Sequence, residues 1–170
     1  HYWRPVAPRA RIDVTFAEPG LSWRGEAYMD SNWGDEPLER GFQGWDWSRA
    51  HAGDSTTVYY DAASSSGEET ALALRFDRHA EPHAVEPPPR IALPSTFWGV
   101  RRTTRGDADD APVLQRTLED APFYARSSLG GRVNGAAADI VHESLSLRRL
   151  ANPLVRAMLV FRMPRIVGRR

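Results

Sequence analysis

Arg11-Ile12-Asp13-Val14-Thr15-Phe16 and, beyond the turn Glu18-Pro19-Gly20, Trp23-Arg24-Gly25-Glu26-Ala27-Tyr28-Met29-Asp30 are the stretches whose reading decides the fold class. In the first, Ile12, Val14 and Phe16 fall on one face of an extended chain and Arg11, Asp13 and Thr15 on the other, the period of two that marks a half-buried strand. The second sets Trp23, Gly25, Ala27 and Met29 against Arg24, Glu26, Tyr28 and Asp30, so Tyr28 and Asp30 share a face. Further strands are expected at Gly44 to Ala50, Thr56 to Asp61, Thr70 to Asp77, Thr96 to Arg102, Phe123 to Leu129 and Ala138 to Leu147. Only the C-terminal end reads as helix: Asn152 can cap it, Pro153 suits its first turn, Leu154, Val155, Met158 and Leu159 line one face, and Pro164 ends it. Many short strands punctuated by turns, followed by one helix, predict a mainly β fold, an antiparallel barrel or sandwich with a C-terminal helix.

The 170 residues, 41% hydrophobic and 26% charged, suit one globular domain with a sizeable core. Glu86-Pro87-Pro88-Pro89-Arg90 and the acidic stretch Gly106 to Asp110 read as exposed connections inside that domain, because too little chain flanks them for two cores. Basic and acidic residues balance at 22 each, so no global field favours nucleic acid, and none is expected as a partner. Every basic residue is Arg, which a GC-rich coding bias explains as well as any use of guanidinium chemistry. There is no Cys, which excludes disulfides, thiolate metal sites and cysteine nucleophiles. No apolar run approaches the roughly 18 residues that span a bilayer, and no stretch reads as a signal peptide. The chain opens on His1-Tyr2-Trp3, already strand-like and without an initiator Met, so a preceding portion of the natural protein is expected.

His1 and Trp3 stand two apart on an extended segment, as do Tyr28 and Asp30, so each pair projects from one strand face. If those strands are neighbours, four functional side chains converge. A carboxyl on the interior face of an apolar barrel has its ionised form disfavoured by desolvation, which suits a proton donor. The plainer reading of the alternation is a solvated face with cross-strand ion pairs. Asp35, Glu36 and Glu39 could serve catalysis but read more simply as a solvated turn; Trp45 and Trp47 share a face, as core or as the wall of a ligand site, and Asp46 and Arg49 are placed to pair. His79 and His83 have helical metal spacing, but Pro82 spoils the helix, and Asp107, Asp109 and Asp110 lack the Gly and distal Glu of a calcium loop. His142-Glu143-Ser144 alternates faces and forms no triad within itself. Arg148, Arg149, Arg156, Arg162, Arg165, Arg169 and Arg170 surround the apolar helix face without one acid. That pattern fits a membrane-surface anchor and, equally, a helix packed on the barrel with solvated Arg around it.

Several longer motifs point further. His1-Tyr2-Trp3-Arg4-Pro5, Gly25-Glu26-Ala27-Tyr28-Met29-Asp30-Ser31-Asn32, Gly34-Asp35-Glu36-Pro37-Leu38, Trp45-Asp46-Trp47-Ser48-Arg49-Ala50, Thr117-Leu118-Glu119-Asp120, Pro122-Phe123-Tyr124-Ala125-Arg126, His142-Glu143-Ser144-Leu145-Ser146 and Phe161-Arg162-Met163-Pro164-Arg165 together resemble the carotenoid 1,2-hydratase (hydroxyneurosporene synthase) family. The resemblance runs from the first residue almost to the last and covers the C-terminal half of a longer family protein. It implies that residues 1–170 form a single lipocalin-like domain of a two-barrel protein whose N-terminal half is missing. It also implies hydration of the terminal double bond of an acyclic carotene such as neurosporene or lycopene, without a cofactor. By the same resemblance Asp30 is the acid, Trp3 and Tyr28 stabilise the carbocation and His1 is the base. Trp45 and Trp47, as a ligand wall, are expected to contact substrate together with Trp33, which stands where a smaller aromatic is usual and narrows the pocket. The expected setting is a bacterial cytoplasm, peripheral to the inner or intracytoplasmic membrane. Competing expectations are a carrier of a long apolar ligand, a related cofactor-free cyclase, and a structural domain of a membrane-associated assembly.

Overall fold

The computed structural model describes residues 1–161, and strands make up 61% of it. The order is β1 (Tyr2–Phe16), β2 (Leu21–Trp33), α1 (Leu38–Gly41), β3 (Phe42–Ala52), β4 (Ser55–Ser64), β5 (Glu69–Phe76), β6 (Pro82–Ala84), β7 (Arg90–Leu93), β8 (Arg102–Arg105), a 3-10 turn (Ala108–Asp110), β9 (Val113–Asp120), β10 (Tyr124–Val133), β11 (Ala136–Ser146), α2 (Leu147–Leu150) and α3 (Pro153–Met158). Seven strands form one antiparallel sheet in the order β6-β5-β4-β3-β11-β10-β9, and β1-β2 and β7-β8 are separate hairpins. Among the described residues no ladder joins β6 to β9, so the large sheet is open and its two faces are covered by the two hairpins in a sandwich.

The register sorts side chains between those faces. Trp45, Trp47 and Arg49 of β3 pair with Leu145, Glu143 and Val141 of β11 and with Ala62, Tyr60 and Val58 of β4, and this face meets β1-β2. Trp47, Val58 and Phe76 are its buried core, with Trp3, Tyr28, Trp45, Tyr60, Leu74 and Val141 packed against them. On the opposite face Ala50, Ala52, Leu129, Val133, Ala138 and Ile140 pack around Leu93 of β7. That face also carries ions: Asp61 accepts from Arg105 and Arg90, and buried Arg102 donates to Ser127 at 2.9 Å and Thr117 at 3.1 Å. A buried charge is tolerable only when so paired.

Several sequence expectations change here. Thr96 to Arg102 is not a strand: Gly99 at φ +72° closes a turn in which Gly99 N–H donates to Thr96 O, and β8 begins only at Arg102. β6, β7 and β9 were not anticipated. β6 opens on Pro82 and β9 carries Gln115, Arg116 and Glu119, the Pro and charge that protect sheet edges and erase alternation. Asp46 and Arg49 do not pair, because an even and an odd position on β3 face opposite sides. The C-terminal helix is six residues long, with the Asn152 side chain accepting from Leu154 N–H; Pro164, Arg162, Arg165, Arg169 and Arg170 lie outside the described residues. Of the expected face Leu154 and Leu159 are exposed and Val155 and Met158 half-buried, and beyond it Val160 and Phe161 are exposed.

The largest difference is in β1-β2. Ile12 pairs with Gly25, Val14 with Trp23 and Phe16 with Leu21, so the apolar residues do share a face, as their alternation predicts. That face points away from the sheet, because Tyr28 and Asp30 occupy the inward one. Ile12, Phe16, Leu21, Trp23, Met29 and Trp33 are each more than two-fifths exposed.

Candidate active site

β1-β2 lies across β3 and β4, and this positions the site. The Trp3 ring meets Tyr60 edge-on at 5.5 Å and the Tyr28 ring lies 5.2 Å from Trp47. Between those anchors sits Asp30. Its Oδ2 accepts from the Trp3 indole Nε1–H at 2.7 Å and from the Tyr28 hydroxyl at 3.1 Å. Tyr28 and Asp30 share a face by simple alternation, and Trp3 joins them because the antiparallel register pairs Trp3 with Asn32 and Pro5 with Asp30. Irregularities between Pro5 and Ala7 and between Ala7 and Ala10 shift the register twice and cancel, so that Arg11, Asp13 and Thr15 return to the face that carries Trp3.

The three residues border a cavity of about 330 Å³, whose wall is completed by Met29, Asn32, Trp45, Trp47, Arg49, Tyr60, Arg126 and Glu143. The Arg49 guanidinium lies 5.4 Å from the centre of the Tyr28 ring. Burial, and then the neighbouring Asp30 charge, push the Tyr28 phenol well above its ordinary range, so it keeps its proton and remains a donor. The Tyr60 phenol is raised for the same two reasons. Burial and then Arg49 lower the proton affinity of His51. Glu143 pairs with Arg126 Nε at 3.2 Å.

The structure thus brings Trp3, Tyr28, Asp30, Trp45 and Trp47 to one cavity. His1 is not part of the lining: it is exposed at the rim, with Nε2 3.3 Å from Asn32 Oδ1 and its ring edge-on to Phe42 at 5.5 Å. Trp33 lies on the outer face of β2, stacked on Tyr2 at 5.5 Å. Sequence reasoning missed Asn32, Arg49, Tyr60, Arg126 and Glu143 as lining residues. Asn32 and Arg49 were within reach, since each continues the alternation of Asp30 or of Trp47. Tyr60, Arg126 and Glu143 enter through cross-strand register, which no local pattern announces.

Asp46 is on the other side of the sheet, accepting from Ser144 Oγ and from Thr103 Oγ1 at 2.6 Å. His142 stands beside it, its Nε2 2.8 Å from the Thr103 carbonyl oxygen. Ser144 therefore donates to a carboxylate and not to an imidazole, which makes this a structural network and not a nucleophile with its base. Among the described residues no three His, Asp or Glu converge as a metal site.

The family description "Carotenoid hydratase CrtC" matches residues 1–170. The acyclic carotenoid 1,2-hydratase of Thiocapsa roseopersicina is 48% identical over 169 residues, covering 99% of this chain and 42% of that protein. That of Rubrivivax gelatinosus is 43% identical over 166 residues, covering 97% and 41%, and that of Cereibacter sphaeroides is 37% identical over 168 residues, covering 99% and 60%. The chain thus spans about two-fifths of the length of the first two relatives and matches their C-terminal part. Among solved structures, an AttH protein of Nitrosomonas europaea aligns with a TM-score of 0.56 at 15% identity over 81% of this chain and 49% of that one. That likeness concerns the fold alone, which is lipocalin-like.

Proposed function

This chain belongs to the carotenoid hydratase family, and from that premise we propose that the longer protein containing it adds water across the terminal C1–C2 double bond of an acyclic carotene of the neurosporene or lycopene type. The observation that carries the reading is a carboxyl with one oxygen held by two donors inside an aromatic cavity. Protonating a trisubstituted alkene at C2 demands a strong acid at a fixed place. In this reading the Asp30 carboxyl gives a proton from Oδ1, and the charge that appears is met by the Trp3 and Tyr28 hydrogen bonds at Oδ2. Those bonds strengthen as the proton leaves, so they favour the transition state over the bound alkene.

The positive charge then rests on C1, a tertiary centre. Trp3, Trp45 and Tyr60 offer ring faces to it, each worth about 2 kcal/mol when desolvated, and Trp45 and Trp47 form the wall along which the polyene lies. Water bonds to C1 and loses a proton, giving a tertiary alcohol with no net change in oxidation state. His1, held by Asn32 at the rim, passes protons between solvent and cavity. The rest of the longer protein, a second barrel in this reading, covers the outward apolar face of β1-β2. The exposed Leu154, Leu159, Val160 and Phe161 beside Arg148 and Arg156 suit contact with the membrane that dissolves the substrate. Among the described residues no helix is long and apolar enough to cross it.

The test is Asp30→Asn in the longer protein, incubated with lycopene micelles in ¹⁸O-labelled water. Hydration should fall by about 10²-fold or more, with carotene binding retained because the amide keeps the shape of the carboxyl. Unchanged labelling of the alcohol would sink the acid assignment, and binding without turnover in the wild type would favour a carrier.

A further inference from the structure

The reaction needs a group to take the proton of the attacking water, and the cavity holds a second carboxylate on the wall facing Asp30. Tyr60, Trp47, Glu143 and Arg126 form one row across the sheet, because β4 pairs with β3, β3 with β11 and β11 with β10 at those residues. Successive strands are spaced by about 4.8 Å. Trp3 rests on Tyr60 and Tyr28 on Trp47, so Asp30 hangs from the hairpin over the first two members of the row. Glu143 rises from the sheet one strand further on. Both carboxylates line the same cavity, one from each wall.

The state of Glu143 fits a base. Its side chain is 24% exposed, so water reaches it, and Arg126 Nε at 3.2 Å keeps it oriented. Burial, and then the neighbouring Glu143, raise the Tyr124 phenol above its ordinary range. His1, by contrast, stands outside the lining. Nor does the step require an imidazole, since a protonated tertiary alcohol is so acidic that an ordinary carboxylate deprotonates it. Asp30, with Oδ2 tied to two donors, has only Oδ1 for the carotene, and that oxygen addresses C2 while water must reach C1.

Resting on the hydratase reading above, we infer that Glu143 is the base of the reaction: it holds the attacking water and takes its proton as the water oxygen bonds to C1. One O–H bond breaks and one C–O bond forms, the O–H pair stays on oxygen, and the proton ends on Glu143. Asp30 has by then lost its proton to C2, so one proton returning from Glu143 to Asp30 by way of solvent resets the pair. Arg126 acts as a positioning residue.

The experiment uses the longer protein, lycopene and heavy water, and reads both the alcohol and the deuterium content of recovered carotene. In Glu143→Gln alcohol formation should fall by about 10²-fold or more while recovered carotene still gains deuterium, because Asp30 continues to form a cation that returns to alkene. Formate should restore part of the hydration in Glu143→Ala by supplying the missing carboxylate. Hydration at the wild-type rate in Glu143→Gln would overturn the assignment and leave Asp30 to recover the proton itself. Loss of both alcohol and deuterium in Glu143→Gln, without rescue of Glu143→Ala by formate, would also overturn it and make the residue structural. Asp30→Asn separates the two levels: it should abolish both readouts, and if it hydrates normally the hydratase reading falls first.

Discussion

His142 is fully buried, and because a carbonyl oxygen can only accept, its Nε2 bears the hydrogen that bonds Thr103. Nδ1 is left without a partner among the described residues. Burial lowers the proton affinity of this imidazole, outweighing the Thr103 carbonyl and Asp46, which pull the other way. Folded, it is neutral; unfolded, it takes up a proton as the pH falls through about 6.5. Its contribution to stability is therefore fully present above that pH and is lost below it, by up to about 1.4 kcal/mol per pH unit, until the lowered folded value is reached. Urea unfolding between pH 7.5 and 5 should show that slope, and His142→Asn should flatten it; equal slopes would mean that the imidazole protonates within the fold. At this scale the sequence was informative where function follows spacing. Tyr28 and Asp30 share a face because residues two apart on a strand must. Tyr60 and Glu143 were invisible, because their place in the site is set by pairings 13 residues or more distant along the chain.

Elements were legible in proportion to how locally they are determined. The β10-β11 hairpin turns on Asn134 and Gly135, at φ +53° and +77°, between the paired Val133 and Ala136. This is the two-residue geometry that matches strand twist and favours Asn-Gly. Gly135→Ala meets no steric obstacle around the new Cβ, yet it forces a residue with a side chain into the left-handed region. It should destabilise the fold by about 1 kcal/mol, seen as a lower urea midpoint with an unchanged slope; no change would mean that the turn relaxes freely. The Asn152 cap on α3 follows the same local logic, since one side chain satisfies an N–H two residues on. β6 and β9 failed to announce themselves because an edge strand is selected as much to resist pairing as to pair.

Across the whole molecule the decisive feature is the reversed amphipathicity of β1-β2. At the site its polar face, with Tyr28 and Asp30, looks at the sheet; toward the turn both faces are exposed, and the one turned away carries Ile12, Phe16, Leu21 and Trp23. A continuous exposed apolar ribbon is unusual on a self-sufficient surface. Hydroxyl-radical footprinting should find Phe16, Leu21 and Trp23 modified in the 170-residue chain and protected in the longer protein. Equal modification in both would mean that the remainder of that protein covers some other surface. The sequence by itself determined that this is an antiparallel β protein, which residues alternate together, where the C-terminal helix is capped, and that Tyr28 and Asp30 lie on one side of their strand. All of these follow from the fixed periods of strand and helix, which are properties of neighbouring residues. Only the tertiary structure decided which side of each strand is inside, because a period of two leaves the two faces equivalent until another element covers one. It is that choice that set Glu143 opposite Asp30, His1 at the rim, and Trp33 on the outer surface.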